Sequence, residues 1–179
     1  MTELTVSVLP RIDAIPAGDW DGCGDGGDPF TTHRFLAALE ASGSVGRGTG
    51  WQPAHLVARE GAAVVGVAPL YLKTHSQGEY IFDHAWADAW TRAGGQYYPK
   101  LQCAVPFTPA TGPRLIARDP AVQAALLAAM AQVAGQAELS SAHVTFCTQA
   151  ERDLGEAQGW LGRTTTQYHW ENRGYGSFE

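Results

Sequence analysis

Cysteine is scarce in this chain, and the few present form no pairing pattern. Cys23, Cys103 and Cys147 are odd in number, widely spaced and without any C-x-x-C. That excludes a disulfide framework and fits buried thiols in a reducing compartment, so the cytoplasm is the expected location. Basic residues are also in short supply: 12 Lys and Arg stand against 18 Asp and Glu, a formal charge of −6. Such a balance excludes a broad polyanion-binding face, and DNA is not an expected partner. No apolar run approaches the roughly 18 residues of a membrane-spanning helix, and Met1 to Leu9 lacks the basic start and cleavage site of a secretory signal. The expectation is a soluble, unprocessed chain with no membrane span.

Several signatures are missing too. No G-x-G-x-x-G follows a strand, no G-x-x-x-x-G-K-[ST] occurs and G-x-S-x-G is absent, so dinucleotide, P-loop and α/β-hydrolase readings have no support. The six histidines, at 33, 55, 75, 84, 143 and 169, form neither H-x-x-x-H nor H-x-H, and no metal site is expected. The glycines and aspartates of Asp21 to Asp28 lack the residue order of a calcium loop and read as a flexible connection.

What is present is enough apolar content, 45%, to build one ordinary core, so residues 1–179 are read as a single domain with 1–53 as an N-terminal strand and helix segment. Thr5 to Leu9 alternates as a strand does; Thr31 or Thr32 caps a helix that Gly43 stops. Ala54 to Arg59 and Ala63 to Lys73 read as a hairpin around a glycine turn. Strands follow at Glu79 to Phe82, Lys100 to Val105 and Arg114 to Ala117, with a helix from His84 to Ala93 between the first two. Asp119 and Pro120 open a long helix, His143 to Phe146 is a short buried strand, and Thr148 to Glu151 is a capping box. A last strand is expected over Arg163 to Trp170. This order predicts an α/β fold of the α+β type, a mixed sheet flanked by helices.

Three stretches carry more specific information: "GEYIFDHAWADAW", "YYPKLQCAVPFTPATGPRLI" and "QYHWENRGYGSFE". Together they resemble a bacterial, peptidoglycan-related family of N-acyltransferases described as FemAB-like and built from two GNAT-type halves. The resemblance runs from Asp28 to Glu179 and implies a GNAT-like fold and transfer of an acyl or aminoacyl group to a small-molecule or peptide-like amine. Family members continue through a basic segment into a second half, so the chain resembles the N-terminal half only. GNAT proteins grip the coenzyme A diphosphate with a [QR]-x-x-G-x-[GA] nest, which is absent here; Phe107 to Arg114 stands in its place. The helix beyond opens on Asp119, whose carboxylate competes with phosphate for the same amides. The resemblance therefore implies that this half binds no cofactor alone, and that acyl-CoA belongs to the longer relative.

His84 and Asp88 stand four apart on one helix face, where a carboxylate holding an imidazole makes a base; the plainer reading is a surface pair. Tyr98 is a candidate acid. Tyr80, Phe82, Trp86, Trp90, Tyr97 and Tyr98 gather around Asp83 and Lys100 as a ligand pocket does, although aromatics at such spacing also build cores. Thr108, Thr111 and Arg114 lie where a rigid turn presents hydroxyls and a guanidinium to an anion; alternatively the prolines stiffen a crossover and Arg114 pairs a nearby acid. Cys103 reads as inert packing, on the opposite strand face from Lys100. The rival to an acyltransferase half is a non-catalytic binding or assembly module that needs a partner chain. Either way an unpaired last strand is expected to drive homo-oligomer formation, or packing on a second half.

Overall fold

The computed structural model describes residues 3–177. Met1, Thr2 and the closing Phe178 and Glu179 of the third motif lie outside the described residues. The elements in chain order are β1 (Leu4–Leu9), α1 (Ala17–Asp21), α2 (His33–Ala41), β2 (Trp51–Pro53), β3 (His55–Glu60), β4 (Ala63–Ala68) and β5 (Leu70–Lys73). Then come α3 (His84–Arg92), β6 (Lys100–Cys103), β7 (Ile116–Ala117), α4 (Pro120–Gln136), β8 (Ala142–Val144) and α5 (Gln149–Ala157).

The expected hairpin forms, with a division that its pattern does not announce. Its register runs from Glu60 opposite Ala63 to Trp51 opposite Lys73, yet Ala54 and Pro69 break it into two parts that belong to different four-stranded sheets. Pro69 lacks an N–H to donate, so it ends β4 where the ladder stops. Leu70 O then accepts from Ala54 N at 2.8 Å and carries the hairpin on into the second sheet. The first sheet is β1-β3-β4-β7, antiparallel throughout; the second is β2-β5-β6-β8, in which β6 and β8 are parallel.

Helix α4 sits over the join. Asp119 caps it, accepting from Ala121 N at 2.8 Å, and Pro120 at its start has no N–H to leave unpaired. Val122, Leu126, Leu127 and Met130 pack against Leu56, Ala58, Leu70, Leu101 and Cys103. Each fully buried leucine contributes about 1.5–3 kcal/mol. Gly66 lets the helix approach: a Cβ there would stand 2.5 Å from a Val122 methyl. On the other side of the first sheet, Ile12, Trp20 and Leu36 pack against Val57 and Val67.

Two expected strands are absent. Glu79 to Phe82 is irregular, with Tyr80 and Phe82 at φ of 58° and 49°, because Glu79 turns inward to meet buried cations while its aromatic neighbours face out. Arg163 to Trp170 runs exposed and unpaired: its threonines and glutamine have no apolar surface to cover, and propensity alone does not hold a strand. The expected strand over Arg114 to Ala117 is reduced to Ile116–Ala117.

Candidate functional site

The pleat gives the second sheet two unlike faces. Leu70, Leu72, Leu101, Cys103, Ala142 and Val144 enter the core under α4. Register then places Tyr71, Lys73, Lys100, Gln102 and His143 together on the opposite face. Lys73 lies directly opposite Lys100, and both are 0% exposed. Like charges opposed on neighbouring strands repel, and buried ones more so, unless something neutralises them.

The neutralising groups come from the connection between β5 and β6. Lys100 Nζ donates to Glu79 Oε2 and Asp83 Oδ2, both at 2.8 Å, and to Ser76 Oγ at 3.1 Å. Lys73 Nζ lies 3.8 Å from Glu79 Oε1, donates to Gln77 O at 3.3 Å and rests 3.5 Å above the Trp51 ring. Tyr97 donates to Asp83 Oδ2 at 2.8 Å, and the hydroxyls of Tyr98 and Ser76 are 2.7 Å apart. Asp83 stands at the start of α3 without capping it, because its carboxylate is committed to Lys100 and Tyr97.

These surroundings move the proton affinities. Burial lowers the Lys73 ammonium to about 7 against the pull of Glu79, so this side chain titrates near neutrality. Burial likewise raises Glu79, with Lys100 opposing. For Asp83 burial also works upward, but hydrogen bonds from Lys100 and Tyr97 and the Lys100 charge prevail and hold it at about 2. Burial, then the Lys100 charge, lowers His143 to about 4, leaving a neutral imidazole 2.8 Å from Ser141 Oγ. Among the described residues, four buried side-chain polar atoms have no hydrogen-bond partner: Tyr71 Oη, Glu79 Oε1, Asp83 Oδ1 and Gln102 Oε1. All four belong to this face or to the segment over it, and each unmet group costs about 1–3 kcal/mol.

A cavity of about 360 Å³ adjoins the cluster at the carboxyl end of β8, lined by Ile81, His143, Thr145, Cys147, Arg152 and Trp160 among others. Glu151 closes its inner wall. Its Oε1 accepts from Arg114 N and Leu115 N, both at 2.6 Å, and its Oε2 from Thr148 N at 2.8 Å and Thr148 Oγ1 at 2.9 Å. A carboxylate thus occupies the amino end of α5, as Asp119 does that of α4. Among the described residues no group of three or more His, Cys, Asp or Glu side chains is placed to hold a metal ion, and no helix is long and apolar enough to cross a membrane.

Of the residues singled out from the sequence, Asp83, Tyr97, Tyr98 and Lys100 meet in this cluster. His84 and Asp88 lie exposed on α3 with no hydrogen bond between them, and Trp86 and Trp90 face outward on the same helix. Trp86 stacks with Arg163, at 5.5 Å. Thr108 donates to Pro106 O at 3.1 Å, and Thr111 is exposed at the cavity rim. Arg114 is 1% exposed and donates to the carbonyls of Ala110, Pro113 and Thr145 at 2.7, 3.0 and 3.0 Å. Its guanidinium pins the 107–114 loop to Thr145, just past β8, and faces no open space. Burial pushes the Cys103 thiol up, as suits packing. Sequence reading missed Trp51, Lys73, Ser76, Glu79, Gln102 and His143. The available signal was alternation: L-Y-L-K and K-L-Q-C each place a polar group at every second position.

Comparison with known proteins bears on this architecture. The FemAB-like family profile, described as peptidoglycan biosynthesis/recognition, matches residues 11–179. A ribosomal-protein-alanine N-acetyltransferase from Brucella melitensis biovar Abortus 2308 is similar in structure, with a TM-score of 0.51 and 14% identity over 94% of this chain and 98% of that chain. At that identity the likeness concerns the fold, which is GNAT-like. A search of the curated proteins gave no match.

Proposed function

The chain belongs to the FemAB-like family, and from that premise we propose that it serves an N-acyltransferase moving an acyl or aminoacyl group onto a small-molecule or peptide-like amine in the bacterial cytoplasm. The observation that carries this reading is the placement of the polar cluster and the adjoining cavity beside the parallel pair, β6 and β8, of a GNAT-like sheet. In open α/β sheets, ligands collect outside the carboxyl ends of parallel strands, which is where the cavity lies, while the polar cluster stands at the amino end of β6.

The reaction forms a C–N bond from the amine nitrogen to a thioester or ester carbonyl carbon, and the C–S or C–O bond breaks. One proton leaves the nitrogen and one joins the leaving thiolate or alkoxide. Lys73 is the group on this face suited to holding the first proton near neutral pH. Tyr98, bonded to Ser76, supplies a hydroxyl for the second. Asp83, Tyr97 and Lys100 then orient the acceptor. His84 and Asp88 meet an acceptor that approaches α3 from solvent.

The residues present do not fit the diphosphate of acyl-CoA. The amino ends of α4 and α5 are capped by Asp119 and by Thr148 with Glu151, whose carboxylates would repel phosphate from the amides that normally bind it. We therefore assign donor binding to a second GNAT-type half or a partner chain, and acceptor recognition to this unit. The test is mass spectrometry of amine acceptors incubated with acetyl-CoA or an aminoacyl ester, using this chain alone and with the second half added. Acylated product in the combined reaction, diminished by Tyr98→Phe, supports the reading. Binding of a peptide-like amine with no product in any combination would favour the module that only binds or assembles.

A further inference from the structure

The segment from Thr74 to Pro99 covers Lys73 and Lys100, yet none of its apolar side chains is fully buried against the sheet. Only Ser76, Glu79 and Asp83 of that segment are buried, all polar and all turned toward the two lysines. Helix α3, its one regular element, buries none of its side chains. Of the segment's large apolar groups, Tyr80, Phe82, Trp86 and Trp90 are exposed, and Ile81, Tyr97 and Tyr98 are only half-buried. Segments with few buried apolar contacts open at low free energy.

The contacts that hold the segment are also incompletely made. Glu79 straddles the lysine pair, with Oε2 at 2.8 Å from Lys100 and Oε1 at 3.8 Å from Lys73. That is the position a carboxylate or phosphate group takes between two ammoniums. Each carboxylate nevertheless leaves one oxygen without a donor, Glu79 Oε1 and Asp83 Oδ1. On the sheet itself the Tyr71 hydroxyl is a buried donor without an acceptor. When the segment lifts, both carboxylates leave with it and two facing ammoniums stay behind.

We infer that Lys73 and Lys100 form an anion-binding site on the second sheet, and that segment 74–99 closes it with Glu79 and Asp83 standing where the phosphate or carboxylate group of a ligand binds. The ligand displaces the segment's carboxylates from the lysines and leaves α3 swung outward. The site depends on the geometry of the cluster and not on the acyl-transfer reading, since anion binding requires no turnover.

The experiment compares the wild type with the Glu79→Gln/Asp83→Asn double variant, using inorganic phosphate and succinate as probes. Binding is followed by Trp51 fluorescence against a Trp51→Phe blank, and opening by amide hydrogen exchange. The double variant is expected to bind at least one probe ten-fold or more tighter than the wild type. Its 74–99 amides are expected to exchange at least ten-fold faster, with β3, β4 and α4 unchanged. Adding Lys73→Met should abolish the gain. Preference for phosphate or for succinate identifies which anion the site takes. Should the double variant misfold, the wild type at high probe concentration decides: faster exchange confined to 74–99 supports the site. Unchanged exchange and affinity, or a gain that survives Lys73→Met, overturns it.

Discussion

Removing the Glu151 carboxylate tests the construction of the cavity wall directly. In Glu151→Ala, the amides of Arg114 and Leu115, both buried residues, lose an acceptor at 2.6 Å, and the α5 capping box loses its return bond to Thr148 N. An orphaned buried donor costs about 1–3 kcal/mol and a lost cap about 1 kcal/mol. Two donors and a cap, with some relaxation at the half-buried Thr148, give an expected loss of about 3–5 kcal/mol. That is a large share of the roughly 5–15 kcal/mol that holds a domain together. Glu151→Gln keeps one acceptor oxygen; turned toward Arg114 and Leu115 it gives up only the two Thr148 contacts, for an expected loss of about 1–2 kcal/mol. Urea unfolding followed by circular dichroism, analysed with a common m value, measures both. A Glu151→Ala variant within 1 kcal/mol of wild type would refute the role assigned to this carboxylate.

Three further outcomes are expected. Calorimetry with coenzyme A should register weak binding or none, and a micromolar dissociation constant would contradict the assignment of the donor site elsewhere. Burial lowers Lys73 to about 7, below its unfolded value, so the folded chain holds fewer protons between about pH 7 and the ordinary lysine range. Stability should therefore rise with pH through that window from this group, and the rise should shrink in Lys73→Met; superimposable profiles would rule out the burial effect. The exposed, unpaired Arg163 to Trp170 stretch and the outer edge of β8 should promote self-association, and sedimentation showing a monomer at every concentration would end that idea.

Local chemistry made much of the fold legible in advance. Thr32, Asp119 and the Thr148 with Glu151 box cap the helices they were expected to cap. Capping depends on residues only a few positions apart, which a sequence displays side by side. The division of the hairpin at Pro69 was not legible, since Leu70 to Lys73 continues the same apolar run while joining another sheet. Of the site, Asp83, Tyr97, Tyr98 and Lys100 were visible because they cluster in two motifs. Lys73 and Glu79 were not, because nothing in a sequence says that two lysines on different strands will face each other across one ladder. The expected strand at Glu79 to Phe82 failed for the same reason: a buried carboxylate answering two distant cations overrode local propensity.

We expect the hairpin that enters both sheets to act as the seed of folding. Its turn joins residues close in sequence, and hairpins of this kind form in roughly 1–10 μs. Once Trp51–Pro53 and His55–Glu60 have paired with Leu70–Lys73 and Ala63–Ala68, each sheet already has a strand pair on which to grow. β1 and β7 add to one, and β6 to the other. β8 comes last, because its parallel place beside β6 requires α4 to fold across first. Substitutions at Val57 should accordingly slow folding, whereas those at Val144 should mainly speed unfolding, a division that chevron kinetics resolves.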